Sequence, residues 1–475
     1  MVLPNQSLNQ KIKSNLPELY NPTIIIHMKE QEIVSRRSFI GSTALAGAAA
    51  TFPYVAKGQA LKSDTIRVAV VGLGGRGSGA IDQILSAPKD LEKSKGIKCN
   101  TKLVAVADAF ADGEKVQRKL SGFKKKFGDD RVDVEGKIFN GLDAYKQAID
   151  SGVDMVVIAT PPGFKPQQFE YAINQGKKVF MEKPVASDAI GVNRVLAAAK
   201  KAKEKGLTVG IGLQRRHEER YIDCVKRLQD GAIGDINLLR VYWNGGGIWH
   251  RPKQDGMTEM EYQVNNWYHF TWASGDQICE QHIHNLDVGC WIKGMFPVKA
   301  NGMGGGEMRM GGDRSLSQIF DHTFVEYTFE DGTKMYSQGR HLKGGWSHVS
   351  EYAHGSKGTS KIASHIEPFE GHGDPLRIRG AGGGHYQEQK DLIENLHKGE
   401  YYNEAEYGAM STFTAILGRE ASYSGKEIDA AKLLKDGREY APGIDDYTFK
   451  TKAPVQPDAN GLYPAFVPGK YNPFA

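Results

Sequence analysis

The sequence predicts a doubly wound α/β domain with a parallel sheet, followed by an α+β domain with a large, mostly antiparallel open sheet. Three observations lead to this prediction. From Ile66 to about residue 213, short apolar runs of the β-branched kind alternate with segments of helical periodicity. A glycine-rich turn directly follows the first of these runs. After residue 213, longer strands with alternating apolar residues replace the continuous apolar runs.

The length and composition of the chain limit its organisation. A chain of 475 residues is too long for one hydrophobic core, and 40% hydrophobic with 25% charged residues is typical of a soluble globular protein. The net charge is only +5, which excludes a strong electrostatic footprint for nucleic acid. We predict a leader at 1–60, a nucleotide-binding domain at 61–213, a substrate and oligomerisation domain at 214–450 and a proline-rich arm at 451–475.

The leader carries an export signature. Ser35 to Ile40 reads SRRSFI, a twin-arginine pattern, and a mildly apolar run of small residues follows from Gly41 to Ala50. Gly58-Gln59-Ala60 offers small residues for signal cleavage, and Met28 offers an alternative start. We therefore expect export by the twin-arginine machinery to the periplasm, with no stable membrane span. The alternative is a leader in which the two arginines stand together by chance.

The organising stretch is Ile66 to Gly77, which reads IRVAVVGLGGRG. An apolar strand leads into glycines spaced as GxGxxG, and Ala80 to Leu85 continues with helical spacing. Strand, glycine turn and helix together form the dinucleotide-binding fingerprint of a Rossmann domain. The alternative is a glycine-rich turn without a ligand. The predicted cofactor-binding residues of this turn are Gly72, Gly74, Gly75, Arg76 and Gly77.

Two further loops belong to the same sheet edge. Leu103 to Ala107 predicts a second strand, and Asp108 at its end is placed to accept hydrogen bonds from the adenosine ribose, which favours NAD over NADP. Its distance from the glycine turn is long, so we expect an insertion from Pro88 to Lys102. Met155 to Ala159 predicts a third strand, after which Thr160 and Pro161 form a rigid cofactor-binding loop. For Asp108, a simple strand-ending residue is the alternative.

The motif EKP, at Glu182 to Pro184, ends the next predicted strand. GLGGRG, TPP and EKP, in this order and spacing, resemble the Gfo/Idh/MocA family of oxidoreductases over a range from Ile66 to about Ile428. The resemblance implies that Lys183 is catalytic and that Glu182 and Lys183 lie at the cofactor. The segment GIGLQRR also resembles the family, and it implies that Gln214 contacts the cofactor. Its Arg215 and Arg216 are then expected near the substrate.

A second candidate segment, GDQICEQHIHNLD, runs from Gly275 to Asp287. If it is one helix, Glu280, His284 and Asp287 share one face, and Glu280 would orient His284 for acid–base catalysis. In the family this segment is DxxxH, so His284 matches the family histidine while Glu280 stands where aspartate is usual. Asp287 is expected near the substrate. Two alternatives are a metal site and a packed core histidine, and no metal is predicted because His282 points away from His284.

Aromatic and amide side chains surround these motifs in the sequence. They occur from Trp243 to His250 and from Asn265 to His269, where Trp267 is a candidate substrate contact. Flat aromatic rings and amides suit a carbohydrate, although the same residues could fill a core. The resemblance implies that the open sheet forms a homo-oligomer contact. The segment Lys452 to Ala475 predicts an extended arm that wraps a partner subunit.

These observations predict an exported NAD-dependent oxidoreductase that transfers a hydride between a sugar hydroxyl and a tightly bound nicotinamide cofactor. Export argues for a retained cofactor, because no NAD pool outside the cytoplasm would reoxidise NADH that leaves the enzyme. The bound cofactor must therefore be restored to its oxidised form within one catalytic cycle. The first alternative is a redox-neutral NAD-dependent glycoside hydrolase, in which oxidation, elimination, hydration and reduction follow one another. The second is a non-catalytic exported sugar-binding protein.

Overall fold

The computed structural model describes Ala56–Lys57, residues 63–306 and residues 316–474. The twin-arginine motif, Met28 and the expected cleavage region at Gly58 to Ala60 lie outside the described residues, so export stays a prediction. Within the described part of the chain, no helix combines the length and the apolar composition needed to cross a bilayer.

The first sheet is parallel throughout and has six strands in the order β4-β3-β2-β5-β6-β7. This is the strand order of a Rossmann domain, with the order reversing between β2 and β5. A short strand, β1 (Ala56–Lys57), precedes the sheet. The sheet strands are β2 (Thr65–Val71), β3 (Asn100–Asp108), β4 (Ile138–Asn140), β5 (Met155–Ile158), β6 (Lys178–Met181) and β7 (Val209–Ile211).

Helices cover both faces of this sheet, as the alternating pattern predicts. They are α1 (Gly75–Lys95), α2 (Glu114–Phe127), α3 (Tyr145–Asp150), α4 (Lys165–Asn174) and α5 (Ala189–Glu204). The continuous apolar runs are buried because both faces of the strands are covered. The predicted α/β class is confirmed.

The insertion expected from Pro88 to Lys102 begins as an extension of helix α1. Helix α1 continues through Pro88 and ends only at Lys95, so the long spacing before β3 is helix rather than loop. Proline cannot donate a hydrogen bond to the carbonyl of Ile84, and the hydroxyl of Thr101 donates to that carbonyl instead, at 3.0 Å. This substitute partner explains how the helix tolerates an internal proline.

In the part of the chain that the structure describes, the second sheet has nine strands and is antiparallel except where β8 pairs with β11. Its order is β15-β14-β13-β12-β8-β11-β10-β9-β17, which confirms the predicted mostly antiparallel sheet. The turn predicted at Asp331-Gly332 joins β10 to β11. The strands are β8 (Ile236–Gly245), β9 (Lys299–Gly305), β10 (His322–Thr328), β11 (Lys334–His341), β12 (His348–Gly355), β13 (Gly358–Lys361), β14 (His365–Pro368), β15 (Leu376–Arg377) and β17 (Ile428–Asp429), while β16 (Glu400–Tyr401) pairs with β1.

Helices pack against one face of the second sheet. Side chains on the other face, such as Met303 and Phe324, are exposed. The role of this exposed face in oligomerisation stays a prediction. The remaining helices are α6 (Glu219–Gln229), α7 (Glu259–Asn265), α8 (Thr271–Ser274), α9 (Gln277–Glu280), α10 (Ile283–Lys293), α11 (Gly384–Lys398), α12 (Ala405–Ser424) and α13 (Ala430–Asp436).

The C-terminal segment, defined here as residues 437–474, packs on its own chain rather than extending away as an arm. Tyr447 and Tyr463 are buried in a cluster with Tyr262 and Phe270. The hydroxyl of Tyr463 also donates to Glu259 at 2.6 Å. The expected extension away from the domain is therefore wrong, because aromatic side chains outside the predicted helices bury the segment locally. Its contact with a partner subunit stays a prediction.

Candidate active site

The glycine turn after β2 lies at the carboxyl edge of the parallel sheet. Gly72 has a φ of +90°, and a Cβ there would come within 2.9 Å of Ala159. A Cβ on Gly77 would lie 1.9 Å from the carbonyl oxygen of Gly72, so close packing of α1 requires glycine. A Cβ on Gly74 or Gly75 would meet no atom within 4 Å. The turn is thus packed against the sheet and open on its outer side, as a pyrophosphate at the start of α1 requires.

Asp108 ends β3 and is fixed beside this turn. One carboxylate oxygen accepts from the backbone N–H of Leu73 at 2.8 Å, and the other accepts from Phe110 at 2.9 Å. Asp108, Thr160 and Pro161 line one cleft, together with Val71, Gly141 and Gln168. The structure therefore brings these three predicted cofactor residues together at the point where the strand order reverses.

Arg76 and Glu182, both predicted to bind the cofactor, form an ion pair with each other. Nε and Nη2 of Arg76 donate to Glu182 Oε1 at 3.0 and 2.7 Å. The pair joins the first turn of α1 to the end of β6. Glu182 is buried, and among the described residues its second oxygen has no hydrogen-bond partner. Through Oε1, Glu182 thus connects the EKP loop to the glycine turn.

Lys183 lies at the carboxyl end of β6 and pairs with Glu280. Its Nζ donates to Glu280 Oε1 at 3.1 Å and also to the Glu280 backbone carbonyl. The predicted single helix from Glu280 to Asp287 was wrong, because α9 ends at Glu280 and α10 begins at Ile283. The predicted orientation of His284 by Glu280 is likewise replaced: the carboxylate pairs with the nearby ammonium, a full charge, rather than with an imidazole.

His284 is buried at the start of α10, and among the described residues its Nδ1 has no hydrogen-bond partner. Burial is the main cause that holds its pKa well below the usual value, and the positive charges of Lys183 and Arg215 act in the same direction. The ring is therefore neutral near pH 7 and can accept a proton. Its centroid lies 5.9 Å from that of Trp243, at an interplanar angle of 30°.

Two of the predicted substrate contacts, Arg216 and Asp287, are paired with each other. Arg216 Nη2 donates to Asp287 Oδ1 at 2.8 Å, and the hydroxyl of Ser411 donates to the same oxygen at 2.6 Å. The guanidinium also lies 4.1 Å from the ring centroid of Tyr407. Because Asp287 is 1% exposed and both charges are used, we reassign this pair from substrate binding to joining the segment 214–217 to α10, with Ser411 and Tyr407 of α12 packed against it.

The other predicted residues of this region differ in their availability. Arg215 is buried and pairs with Glu351, so its guanidinium already has a protein partner. Trp267 packs beside Trp249, with ring centroids 6.2 Å apart. Within the part of the chain that the structure describes, the buried Oε1 of Gln214 has no hydrogen-bond partner. Buried polar atoms are normally paired, so Gln214 fits a role in holding a ligand.

The sequence interpretation missed one acid–base pair. His385 and Glu388, on the first turns of α11, have Nδ1 and Oε1 3.5 Å apart. Glu388 also lies 3.9 Å from Arg76, and burial raises the pKa of Glu388 to about 7. In the sequence, the spacing HxxE directly after a run of glycines could have indicated this pair.

The histidines of the HIH segment have separate surroundings. His282 Nε2 is 2.7 Å from the hydroxyl of Ser337, and burial lowers its pKa to about 3. Residues 63–306 and 316–474 contain no group of three or more histidine, cysteine, aspartate or glutamate side chains arranged to hold a metal ion.

Comparison with known proteins agrees with this geometry. Residues 66–211 match the Gfo/Idh/MocA family model, an oxidoreductase family with an NAD-binding Rossmann fold. The expected similarity is thereby confirmed for the first domain.

Two relatives and one solved structure extend the comparison. The scyllo-inositol 2-dehydrogenase (NAD(+)) of Bacillus subtilis is 27% identical over 162 residues, which are 34% of this chain and 42% of that protein. Inositol 2-dehydrogenase of Rhizobium meliloti is 24% identical over 344 residues, 71% of this chain and 88% of that protein. The scyllo-inositol dehydrogenase of Lactobacillus casei with bound NAD(H) and scyllo-inositol has a TM-score of 0.55 at 22% identity, covering 77% of this chain and 99% of that one. This last similarity shows the shared fold.

Proposed function

We propose that this chain is an NAD-dependent oxidoreductase of the Gfo/Idh/MocA family that oxidises a secondary hydroxyl of a carbohydrate or cyclic polyol. The observation that carries the proposal is the placement of Lys183, held by Glu280, and of the neutral His284 at the carboxyl edge of the NAD-type sheet. The relatives that are inositol dehydrogenases support the class of substrate.

The residues present fit a nicotinamide dinucleotide. Gly72 to Gly77 would hold its pyrophosphate, Asp108 its adenosine ribose, and Gln214 and Glu182 the reactive end. When bound, the oxidised nicotinamide supplies the acceptor for the two electrons of a C–H bond. His284 accepts the proton of the substrate hydroxyl, because its ring is neutral. The Lys183 ammonium stabilises the developing alkoxide, and Glu280 keeps that ammonium in place.

The partly exposed Trp243 supports a ring-shaped, hydroxylated substrate. It stands beside His284, and an aromatic face can pack on the C–H face of a sugar or inositol ring. Incubation with NAD⁺ and a panel of inositols, aldoses and methyl glycosides, followed by the absorbance of the reduced cofactor, tests the proposal. Release of the aglycone from aryl glycosides without cofactor reduction by any compound would favour the redox-neutral glycosidase instead.

The choice of NAD over NADP depends on Asp108. Replacing Asp108 with Asn should weaken NAD⁺ binding and strengthen NADP⁺ binding, changing their ratio by about tenfold, because a repulsive charge at the ribose 2′ position is removed. Dissociation constants measured by fluorescence titration check this. Asp129→Asn, in an exposed loop of the same domain, is the matched control. An unchanged ratio would contradict the assignment of Asp108.

We further propose that the cofactor is retained between turnovers. Val264 of α7 closes the cleft beside Asp108, and Phe449 of the C-terminal segment stacks on Phe110 with ring centroids 5.2 Å apart. These contacts cover the adenosine end of the site. Export, proposed from residues 35–60, would make a retained cofactor necessary. Cell fractionation that finds the protein in the cytoplasm with its leader intact would refute the proposed export.

Loss of the Phe449 ring should loosen this cover. We expect Phe449→Ala to release NADH about tenfold faster, since an aromatic stack contributes up to about 1.5 kcal/mol. Stopped-flow fluorescence with excess unlabelled competitor measures the release rate. Phe369→Ala is the control, because Phe369 is exposed directly after β14, in the second sheet. Equal release rates from the two variants would show that the segment does not retain the cofactor.

A further inference from the structure

Lys165 is an unusual buried charge directly beneath the EKP loop. It is the first residue of α4 and is 2% exposed. Its Nζ donates to three successive backbone carbonyls: those of Glu182 at 2.7 Å, Lys183 at 3.2 Å and Pro184 at 2.8 Å. All three bonds end on the loop from which the Lys183 side chain extends.

Three acceptors require three donors. An ammonium has three N–H groups, whereas a neutral amine has two and a lone pair that would face a carbonyl oxygen. The arrangement therefore requires Lys165 to be protonated. Burial works against this and lowers the pKa of Lys165 to about 7, while the charge of Glu182 raises it, that of Lys183 lowers it and that of Glu280 raises it.

The loop is held from two sides. Lys165 binds its carbonyls from below, and Arg76 binds the Glu182 side chain from the glycine turn. With the backbone of the loop fixed, the position of the Lys183 ammonium depends on its own side chain and on the ion pair with Glu280. A displacement of the loop by about 1 Å would misplace this ammonium, and such errors cost on the order of a hundredfold in rate.

We propose that Lys165 is a positioning residue whose protonated side chain fixes the backbone of Glu182, Lys183 and Pro184 and thereby aims Lys183 at the substrate hydroxyl. This inference rests on the proposed function of Lys183. Lys165 then contributes to turnover itself as well as to the stability of the fold. Turnover also depends on the protonated form of Lys165, which is lost as the pH rises.

The first test compares Lys165→Met with Lys178→Met. Lys178 is also buried, but it lies at the opposite end of β6. In the cofactor-free protein, hydrogen–deuterium exchange of the peptide covering residues 181–187 should quicken in the Lys165 variant and stay unchanged in the Lys178 variant. With cofactor and substrate, Lys165→Met should lower kcat about a hundredfold and leave KM within about threefold. Unchanged exchange and kcat in Lys165→Met would overturn the proposal.

A second variant keeps the test valid if Lys165→Met does not fold. Incorporation of γ-thialysine at position 165 preserves shape and charge, but its sulfur lowers the ammonium pKa. Because Lys165 must be protonated, the alkaline fall in kcat should then occur at lower pH than in the wild type. Coincident pH profiles would overturn the proposal. Absence of turnover in the wild type with every substrate would instead refute the proposed function.

Discussion

Replacement of Lys183 with Met is expected to reduce turnover about a thousandfold while the cofactor still binds. Glu280 holds the ammonium at the end of β6, and methionine cannot stabilise a developing alkoxide. Single-turnover kinetics gives the rate of the chemical step, and fluorescence titration gives cofactor affinity. The expected pattern is a lost rate with a dissociation constant within about threefold of the wild type.

The control for this variant is Lys205→Met. Lys205 donates to the carbonyls of Ile173 and Asn174, at the opposite edge of the same sheet from Lys183. Its loss should lower stability without changing the rate per folded molecule. Comparable rates in the Lys183 variant and the wild type would remove Lys183 from the chemistry.

Replacement of His284 with Gln should cost about a hundredfold to ten-thousandfold in kcat, since glutamine cannot accept the proton. The pKa of His284 is held well below its usual value, mainly by burial, so the ring is already neutral below pH 6.5. Protonation of His284 should therefore not lower the wild-type kcat for oxidation as the pH falls through 6.5. The measurement is a pH profile of kcat for wild type and variant.

His397→Gln is the matched control, because His397 lies in the last turn of α11, away from His385 and the site. It should reproduce the wild-type profile. A wild-type inflection near the ordinary histidine pKa that vanishes in His284→Gln would contradict the depressed pKa. Full activity of His284→Gln would contradict its role as the proton acceptor.

Local patterns in the sequence predicted the elements that carry the cofactor site. Strand, glycine turn and helix adjoin one another in the chain, so Gly72 to Gly77 could be placed correctly before any tertiary contact was known. Asp108 and Lys183 follow buried strands directly, and the carboxyl ends of parallel strands meet at one edge. Their approximate position in the fold therefore followed from the strand pattern.

Partners far apart in the sequence could not be predicted in this way. Glu280 is 97 residues from Lys183, and their pairing depends on a break between α9 and α10 that helical spacing does not show. The burial of Lys165 and the pairing of Arg216 with Asp287 likewise depend on tertiary packing. The local packing of the C-terminal segment was not predicted for the same reason, since its aromatic residues have no periodic pattern but fit a cluster built by Tyr262 and Phe270.

In the proposed reaction, this chain transfers a hydride from a substrate C–H bond with the help of Lys183 and His284. Its most direct test is a single turnover with a polyol or sugar substrate from the panel that carries deuterium at the oxidised carbon. We expect a primary isotope effect on the rate, and mass spectrometry should find one deuterium in the reduced cofactor recovered from the protein. Oxidation of the substrate with no deuterium in the cofactor would contradict it.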